Sequence, residues 1–255
     1  MMHGTIVAES RSGAVRITET RYAGGAVLAH HRHCDPYVSI LVDGDYTEVR
    51  AGIPQRCRTG TVIVHHHDEE HADYFPRSGR CLNFELLDRS HVAHAALSHR
   101  NIVSTNRRLQ AAAAQLVHVH SATGRGATLE RSIDELLATI ADDQEIATDP
   151  QPAWLRRALD DFTWTDAEPL ERIAHGVGIH PTHFSRAFRH HMGLTPNDYR
   201  RTSRVRAASQ LLLDSRARLA DVAQATGFHD QSHLTHAFVT AAGMPPARYR
   251  SIFRR

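Results

Sequence analysis

The fold of the C-terminal half is decided by the stretch Ala223-Gln224-Ala225-Thr226-Gly227-Phe228-His229-Asp230-Gln231-Ser232-His233-Leu234-Thr235-His236-Ala237-Phe238. A short amphipathic segment that starts at Leu219 predicts one helix, and Gly227 predicts a tight turn after it. Asp230 is a suitable N-cap for a second helix. Helix, glycine-containing turn and helix form a helix-turn-helix unit, in which the second helix enters the major groove of DNA. A generic pair of packed helices would give the same pattern in a single copy.

The pattern occurs twice in this chain. The run His183-Phe184-Ser185-Arg186-Ala187-Phe188 returns fifty residues later as His233-Leu234-Thr235-His236-Ala237-Phe238. The same offset relates Gly193 to Gly243, Pro196 to Pro246, Tyr199 to Tyr249 and Arg200 to Arg250. In the first copy Leu170 to Val177 predicts the first helix, Gly178 the turn, and Pro181 the start of the second helix. Two copies favour duplicated helix-turn-helix units and are too few for a solenoid.

The duplicated region resembles the DNA-binding domain of the AraC/XylS family of bacterial transcription regulators. The resemblance covers about Ala153 to Arg250, and its most specific part is the opening stretch followed by Gly243-x-x-Pro246-x-x-Tyr249-Arg250. It implies two helix-turn-helix units joined by a long helix, here Pro196 to Leu213. It also implies a double-stranded DNA operator as partner, read by two recognition helices that lie about 34 Å apart on one DNA face.

The DNA-facing residues follow from elimination within each recognition helix, because its apolar positions must hold the helix on its own unit. The remaining faces contain Thr182, His183, Ser185, Arg186 and Arg189 in the first helix, and Gln231, Ser232, His233, Thr235 and His236 in the second. Arg186 is the strongest candidate for base recognition, since a guanidinium can bond a guanine edge bidentately. Arg200 and Arg204 on the linking helix are candidates for phosphate contacts.

Charge supports the same division of the chain. The residues from Pro150 onward contain 15 arginines and 9 acidic residues, a balance of +6, whereas residues 1–149 contain 15 arginines and 19 acidic residues, a balance of −4. A basic half is typical of a protein that meets a polyanion. No apolar run is long enough to span a membrane, and the N-terminus lacks the pattern of a secretory signal, so a cytoplasmic protein is expected. The three cysteines are too few for a disulfide scaffold.

The first half reads as short strands. Tyr37 to Val42 and Thr61 to Val64 are brief and rich in β-branched residues, and turn signals separate such runs. This spacing predicts a sandwich or a small barrel. From about His94 the pattern becomes helical, with helices predicted over Arg107–Val119 and Leu129–Ile140 and a polar linker over Ala141–Gln151. The apolar face of the second of these helices could pack on the strands or pair with a second copy.

Histidines mark a candidate metal or effector site. The pattern His31-x-His33 followed by Tyr37, and the run from Gly60 to His71, resemble the two cupin motifs. That resemblance implies a small β-barrel in which His31, His33 and His71 bind a divalent transition metal, here zinc, iron, nickel or copper. Tyr37 stands where the family has a carboxylate. Further ligand candidates are His65, His66, His67, Glu70 and Cys34. In the alternative interpretation, the same residues bind an organic effector without metal.

We therefore predict an α+β protein of several domains. A cupin-like β-barrel sensor spans residues 1–93, a helical connector and linker 94–149, and an all-α double helix-turn-helix domain 150–255. The favoured function is an effector-controlled DNA-binding regulator without enzymatic activity, working as a homodimer and with RNA polymerase as a further partner. Activation and repression are equally compatible with the sequence. The alternatives are a metal-dependent cupin enzyme of the dioxygenase type fused to a DNA-binding domain, and a nonspecific nucleoid protein.

Overall fold

The computed structural model describes residues 4–87, 97, 102–104, 107–123, 126–146, 152–161, 164–165, 168–192 and 194–254. The chain divides into two compact units. The first comprises Met1–Ala51 and Arg56–Ile146, and the second comprises Gly52–Gln55 and Ala147–Arg255. Strands dominate the first unit and helices the second, so the predicted α+β class is confirmed.

The first unit contains two antiparallel sheets. Their strands are β1 (Thr5–Ser12), β2 (Val15–Tyr22), β3 (Val27–Arg32), β4 (Tyr37–Asp43), β5 (Asp45–Arg50), β6 (Ile53–Arg58), β7 (Val62–His65), β8 (Glu70–Tyr74), β9 (Gly79–Leu86) and β10 (Ile102–Ser104). One sheet has the order β1-β2-β9-β4-β7-β10 and the other the order β3-β8-β5-β6. Within the described residues the two sheets share no hydrogen-bonded strand pair, so the first unit has two facing layers.

Alternation along the strands builds two cores. In β4 and β7, Val38, Ile40, Val62 and Val64 point to one side of the larger sheet and pack against helices. Ile63, between two of them, points to the other side. There it joins a cluster with residues of the smaller sheet, namely Leu28, Tyr46 and Cys57, which lies between the two layers. The short β-branched runs thus form central strands that are buried on both faces.

Two helices cover the outer face of the larger sheet: α1 (Arg107–Thr123) and α2 (Ala127–Ile146). The apolar face predicted on α2 is buried in the same cluster as the sheet, through Leu129, Ile133, Leu136, Leu137 and Ile140. Of the two interpretations of that face, packing within the chain is therefore the one observed. The face is covered and does not offer a dimer surface.

Two boundaries predicted for this region were wrong. Helix α2 continues to Ile146, so the polar residues from Ala141 to Ile146 form its last turns and the linker starts later. Acidic and amide residues are compatible with a helix, and polarity alone does not end one. Strand β10 lies after the point where only helices were expected, and it pairs with β7. Its three residues are too few to give a periodic signal.

Among the described residues from Pro152 onward, the regular elements of the second unit are all helices. Its helices are α3 (Ala153–Asp161), α4 (Leu170–Gly176), α5 (Pro181–Met192), α6 (Pro196–Asp214), α7 (Leu219–Ala225), α8 (Gln231–Ala242) and α9 (Pro246–Phe253). Helix α6 is the predicted long connection. The pairs α4–α5 and α7–α8 are the two predicted helix-turn-helix units. Among the described helices, none has the length and apolarity required to cross a bilayer.

The two turns have the same backbone conformation. Gly178 has φ of 76° and Gly227 has φ of 77°, a left-handed conformation that L side chains adopt only at a cost. At Gly227 the space is also closed, because a Cβ would lie 1.8 Å from the carbonyl oxygen of Thr165. At Gly178 nothing lies within 4 Å of that position. The glycines that marked the repeat in sequence are thus the residues that turn the chain between the paired helices.

Candidate DNA-binding face and histidine cluster

Helix α5 separates its two faces clearly. Phe184 and Phe188, one turn apart, are fully buried in the core of the first helix-turn-helix unit. That core also contains Trp164 and Ile173. The five residues predicted to face DNA are all exposed: Thr182, His183, Ser185, Arg186 and Arg189. The helix therefore has one side that fixes it to its unit and one polar, basic side open to a ligand.

Helix α8 repeats this arrangement with a stronger N-terminal cap. The Asp230 carboxylate accepts a hydrogen bond from the backbone N–H of His233 at 2.8 Å, and this bond, followed by the one with the His229 side chain, lowers the pKa of Asp230. Gln231, Ser232, His233 and His236 are exposed. Thr235 is half-buried, and its hydroxyl donates to the carbonyl of Gln231 at 2.8 Å. Thr235 is thus the member of the predicted set that is least available to DNA.

The two arginines predicted to contact phosphate have partners inside the unit. Arg204 donates from Nε to the carbonyl oxygen of Thr165 at 3.0 Å, and Arg200 donates to the carbonyl of Glu168. Both side chains are half-buried. They hold the segment before α4 against α6, which is a structural role. Arg201 and Arg206 on the same helix are exposed, and Arg201 pairs with the carboxylate of Asp198 at 2.8 Å.

Strand register brings the histidines of the first unit together. His31 on β3 lies opposite His71 on β8, and His71 lies opposite Arg50 on β5. On the facing sheet Tyr37 lies opposite His65. His71 is therefore central: its ring centroid is 4.3 Å from that of His31 and 4.6 Å from that of His65. Residues distant in sequence meet here because antiparallel pairs place them side by side.

Among the residues that the structure describes, two sets of three side chains have the spacing of metal ligands. The outer triad consists of His31, His33 and His71, and the inner triad of His65, Glu69 and His71. In each triad the candidate ligand atoms lie within 4.8 Å of one another. All three members of the inner triad are buried, whereas His31 and His33 are half-buried. The residues present therefore fit the divalent metal that the cupin motifs imply, with His71 common to both sets.

Carboxylates surround the inner triad. Glu48 is fully buried, and its Oε1 lies 2.9 Å from Nε of Arg50 and 3.9 Å from Nδ1 of His65. Arg50 also lies 3.4 Å from Glu69. Burial, followed by the charge of Glu48, raises the pKa of Asp73 well above its ordinary value. Burial, followed by the neighbouring His65, lowers the pKa of His71, so its imidazole is neutral and able to bind a metal.

The structure places Tyr37 in the cluster and His67 outside it. The Tyr37 hydroxyl lies 3.4 Å from Nε2 of His33, and its ring stacks on His65 with centroids 4.3 Å apart. Burial raises the pKa of Tyr37, so its phenol is neutral. His67 lies in the turn after β7, with its side chain 56% exposed and directed to Asp68. His67 therefore lies outside the cluster, because the tract leaves the strand after His65.

Sequence reasoning missed the charged residues of the cluster: Glu48, Arg50, Glu69 and Asp73. Alternation offered one signal, since Glu48 and Arg50 share a face of β5, and His71 and Asp73 share a face of β8. The spacing of four between His65 and Glu69 was another. Neither signal tells which strands are neighbours, and that register decides which residues meet.

A cavity of about 370 Å³ opens beside the outer triad. His31, His33, Tyr37 and Asp73 line one part of it, and Arg16, Thr18, Thr20, Asn83 and Glu85 line another. A volume of this size is typical of small-molecule sites, which take about 300–1,000 Å³. Apolar groups of Ile6, Tyr22 and Leu28 also line the cavity. It therefore suits a small molecule that has both polar and apolar parts.

Comparison with known proteins concerns mainly the second unit. Residues 173–252 match a family model described as "Helix-turn-helix domain". The chain is 30% identical over 82 residues to the uncharacterized HTH-type transcriptional regulator YobQ of Bacillus subtilis, which covers 32% of this chain and 34% of that protein. It is 29% identical over 82 residues to the arabinose operon regulatory protein of Escherichia coli. This alignment covers 32% of this chain and 28% of that protein. The chain thus matches about a third of the length of these relatives.

Similarity over the whole chain is weaker. The solved structure of ToxT from Vibrio cholerae aligns with 94% of this chain and 99% of its own, at 9% identity and a TM-score of 0.41. The matched residues overlap both helix-turn-helix pairs, α4–α5 and α7–α8, so the second unit is a helix-turn-helix domain. Its similarity to these transcriptional regulators confirms the predicted resemblance to the AraC/XylS family.

Proposed function

We propose that the protein is a sequence-specific DNA-binding transcriptional regulator controlled by a ligand of its first unit. The observation that carries this proposal is the pair of recognition helices, α5 and α8, each buried on one side and polar on the other. A family of transcriptional regulators among the relatives supports it. Two reading helices give enough base contacts for specificity, while arginines near the interface add affinity that depends on salt.

The ligand of the first unit is a divalent transition metal at the histidine cluster, a small molecule in the adjacent cavity, or both. Three donor side chains with an open position are typical of a functional metal centre. A bound ion would bring positive charge and Lewis acidity to the base of the cavity. The ligand controls DNA binding only if it prefers one arrangement of the protein over another, because a ligand shifts an equilibrium by its differential affinity.

Assembly and location complete the proposal. The protein acts in the cytoplasm on a double-stranded operator, as a homodimer, with RNA polymerase as a further partner. Because the apolar face of α2 is covered within the chain, the dimer surface lies elsewhere on the β-domain. Sedimentation of the untagged protein at micromolar concentration tests this part, and a single monomeric species would remove the dimer from the proposal.

Selection from random duplex DNA is the direct test of the main proposal. The untagged protein is used to enrich binding sequences, and fluorescence anisotropy then compares the enriched duplex with a scrambled duplex of the same composition. Preference by a factor of about 10³ or more at physiological salt is expected for a specific binder. Equal affinity for both duplexes would contradict the proposal and favour the nonspecific nucleoid alternative.

An enzymatic role is the second candidate, favoured by the two imidazoles and one carboxylate of the inner triad. That donor set is typical of non-haem iron oxygenases. The two proposals separate experimentally, since an enzyme turns over its substrate and a sensor does not. Oxygen consumption that requires both iron and His71 would support the enzyme. Ligand-dependent operator binding without turnover supports the regulator.

A further inference from the structure

We propose that the metal ion of the first unit is bound by the inner triad, His65, Glu69 and His71, and not by the outer pair His31 and His33. This inference rests on the proposed function, which places a metal at the histidine cluster without choosing between the two triads. It assigns two ligands, His65 and Glu69, that lie outside the positions matched by the cupin motifs.

The chemistry of the inner triad fits a divalent transition metal. It offers two imidazole nitrogens and one carboxylate oxygen, the set found in facial iron(II) sites. Nδ1 of His65 lies 3.3 Å from Oε2 of Glu69. The other oxygen of this carboxylate, Oε1, lies 3.4 Å from Arg50. Arg50 thereby orients Glu69 with Oε2 toward the histidines, as an outer partner orients a metal-binding carboxylate.

Unpartnered nitrogens mark the same position. Nδ1 of His65 and Nδ1 of His71 are buried and make no well-aligned hydrogen bond with any described residue, although Oε2 of Glu69 lies 3.3 Å from the first. A buried polar atom without a partner costs free energy, because it has lost its water. A metal ion between the two rings would satisfy both nitrogens at once. Two such atoms on neighbouring rings, 4.6 Å apart between centroids, are better explained by a shared ligand than by chance.

Charge balance points the same way. Glu48, Glu69 and Asp73 are buried carboxylates, and the guanidinium of Arg50 pairs with the first two. Three carboxyl groups thus share one guanidinium in a buried region. Buried negative charge is stable only when it is compensated. A divalent cation at the inner triad would add positive charge at this position.

The outer pair has a different environment. His31 and His33 are half-buried and line the cavity, together with Tyr37. Neither His65, Glu69 nor His71 is among the described residues that line it. The two histidines are therefore placed to meet a molecule that enters the cavity, while the inner triad lies behind them. This division leaves the cavity wall free of metal ligands.

Ligand substitutions test the assignment in the full-length, untagged protein. Protein stripped with a chelator is titrated with cobalt(II), which reports its coordination by visible absorption. The variants His65→Asn and Glu69→Gln should bind at least tenfold more weakly. The variants His33→Asn and His67→Asn should bind within twofold of wild type, the second being a matched control from the exposed part of the same histidine tract. Full affinity of the first two together with loss in His33→Asn would overturn the inference.

A second measurement needs no variant. In the cobalt(II) protein, each metal-bound imidazole shows its remaining exchangeable N–H as a strongly shifted proton signal. The inner triad predicts two such signals, because it contains two histidines, and the outer triad predicts three. Three signals would overturn the inference even if a variant failed to fold.

The outcomes also separate this inference from the function on which it rests. One bound cobalt with three imidazole signals contradicts the inner triad and leaves metal sensing in place. No bound metal in the wild-type protein contradicts the inner triad and removes the metal from the proposed function. Sequence-specific DNA binding is tested independently of the metal, by the DNA selection experiment.

Discussion

Equivalent positions of the two recognition helices carry different residues, Arg186 in the first and His236 in the second. Both are exposed. An arginine can make two hydrogen bonds to one guanine, so we expect Arg186 to carry more base discrimination than its counterpart. The variant Arg186→Ala should lose about 1–3 kcal/mol of specific binding to the selected operator. Fluorescence anisotropy at fixed salt gives the comparison.

The matched control for this prediction is Arg131→Ala. Arg131 is exposed on α2 of the first unit, so its loss removes one positive charge far in sequence from either recognition helix. Its operator affinity should stay within the error of wild type. If Arg186→Ala and wild type bound the operator equally well, the assignment of Arg186 as a base contact would be wrong.

At the residue scale, the sequence identified candidate site residues better than it identified the residues they contact. His31, His33 and His71 were placed together correctly, since a shared strand face and a motif identified them. His65 was one of several candidates, and Glu69 was absent, because their approach to His71 depends on two sheets facing each other. Arg200 and Arg204 carried the expected charge, yet carbonyl groups of their own unit accept their hydrogen bonds. Spacing in one chain does not reveal such long-range partners.

The turn glycines Gly178 and Gly227 allow a prediction about the stability of the two helix-turn-helix units. Gly178→Ala should destabilise the second unit by about 1–2 kcal/mol, the cost of a left-handed conformation for an L residue. Gly227→Ala has the same conformational cost, and in addition its new Cβ would lie 1.8 Å from the carbonyl oxygen of Thr165. Overpacking of this kind adds about 1–3 kcal/mol or more. Urea unfolding should therefore rank the variants in this order, each below wild type.

This comparison has its control built into the repeat, because both substitutions add one methyl group at the same backbone conformation. The chain contains two tryptophans, and Trp154 and Trp164 both lie in the second unit, so their fluorescence follows its unfolding alone. Equal losses at the two positions would show that the contact with Thr165 relaxes without cost.

Helix α6 provides a prediction about capping. Thr195 is its N-cap: the hydroxyl accepts from the backbone N–H of Asp198 at 3.2 Å and donates to the Asp198 carboxylate at 2.7 Å. Thr195→Ala removes both bonds and should cost about 1 kcal/mol of stability. Thr202→Ala, at an exposed site inside the same helix, should be neutral or slightly stabilising, since alanine favours helix. The same fluorescence assay distinguishes them, and equal stability of the two variants would argue against the cap.

Elements with a strong local signal were predictable, and weak ones were not. The helices of both helix-turn-helix units and the long α6 were found because glycines, caps and buried aromatic positions agree with one another. Strand β10 has three residues, and its pairing with β7 is a tertiary effect. The extension of α2 to Ile146 was missed because a run of polar residues resembles a linker until its helical hydrogen bonds are known. The local sequence pattern therefore predicted whether a segment is a helix or a strand more reliably than it predicted where that segment ends.

For the whole molecule, the proposed regulation is a free-energy coupling between two sites, one in each unit. Coupling of this kind is reciprocal: if a bound metal changes operator affinity by some factor, bound operator must change metal affinity by the same factor. Neither half of the chain alone predicts the size or sign of that factor. The sequence identifies a DNA-binding half and a histidine-rich half, but their communication is a property of the intact chain.

We expect metal and operator each to change the other's affinity by about 5- to 150-fold, the usual range of allosteric coupling. Operator titrations with and without saturating cobalt(II) give one factor, and cobalt titrations with and without saturating operator give the other. The control is the variant Arg186→Ala at an operator concentration too low for this variant to bind DNA. Under that condition, adding the operator should leave its cobalt affinity unchanged. A factor clearly different from one, and equal in the two directions, supports a metal-responsive regulator. Tight metal binding with a factor of one in both directions would make the ion a structural element of the β-domain and leave the cavity as the place where the signal is received.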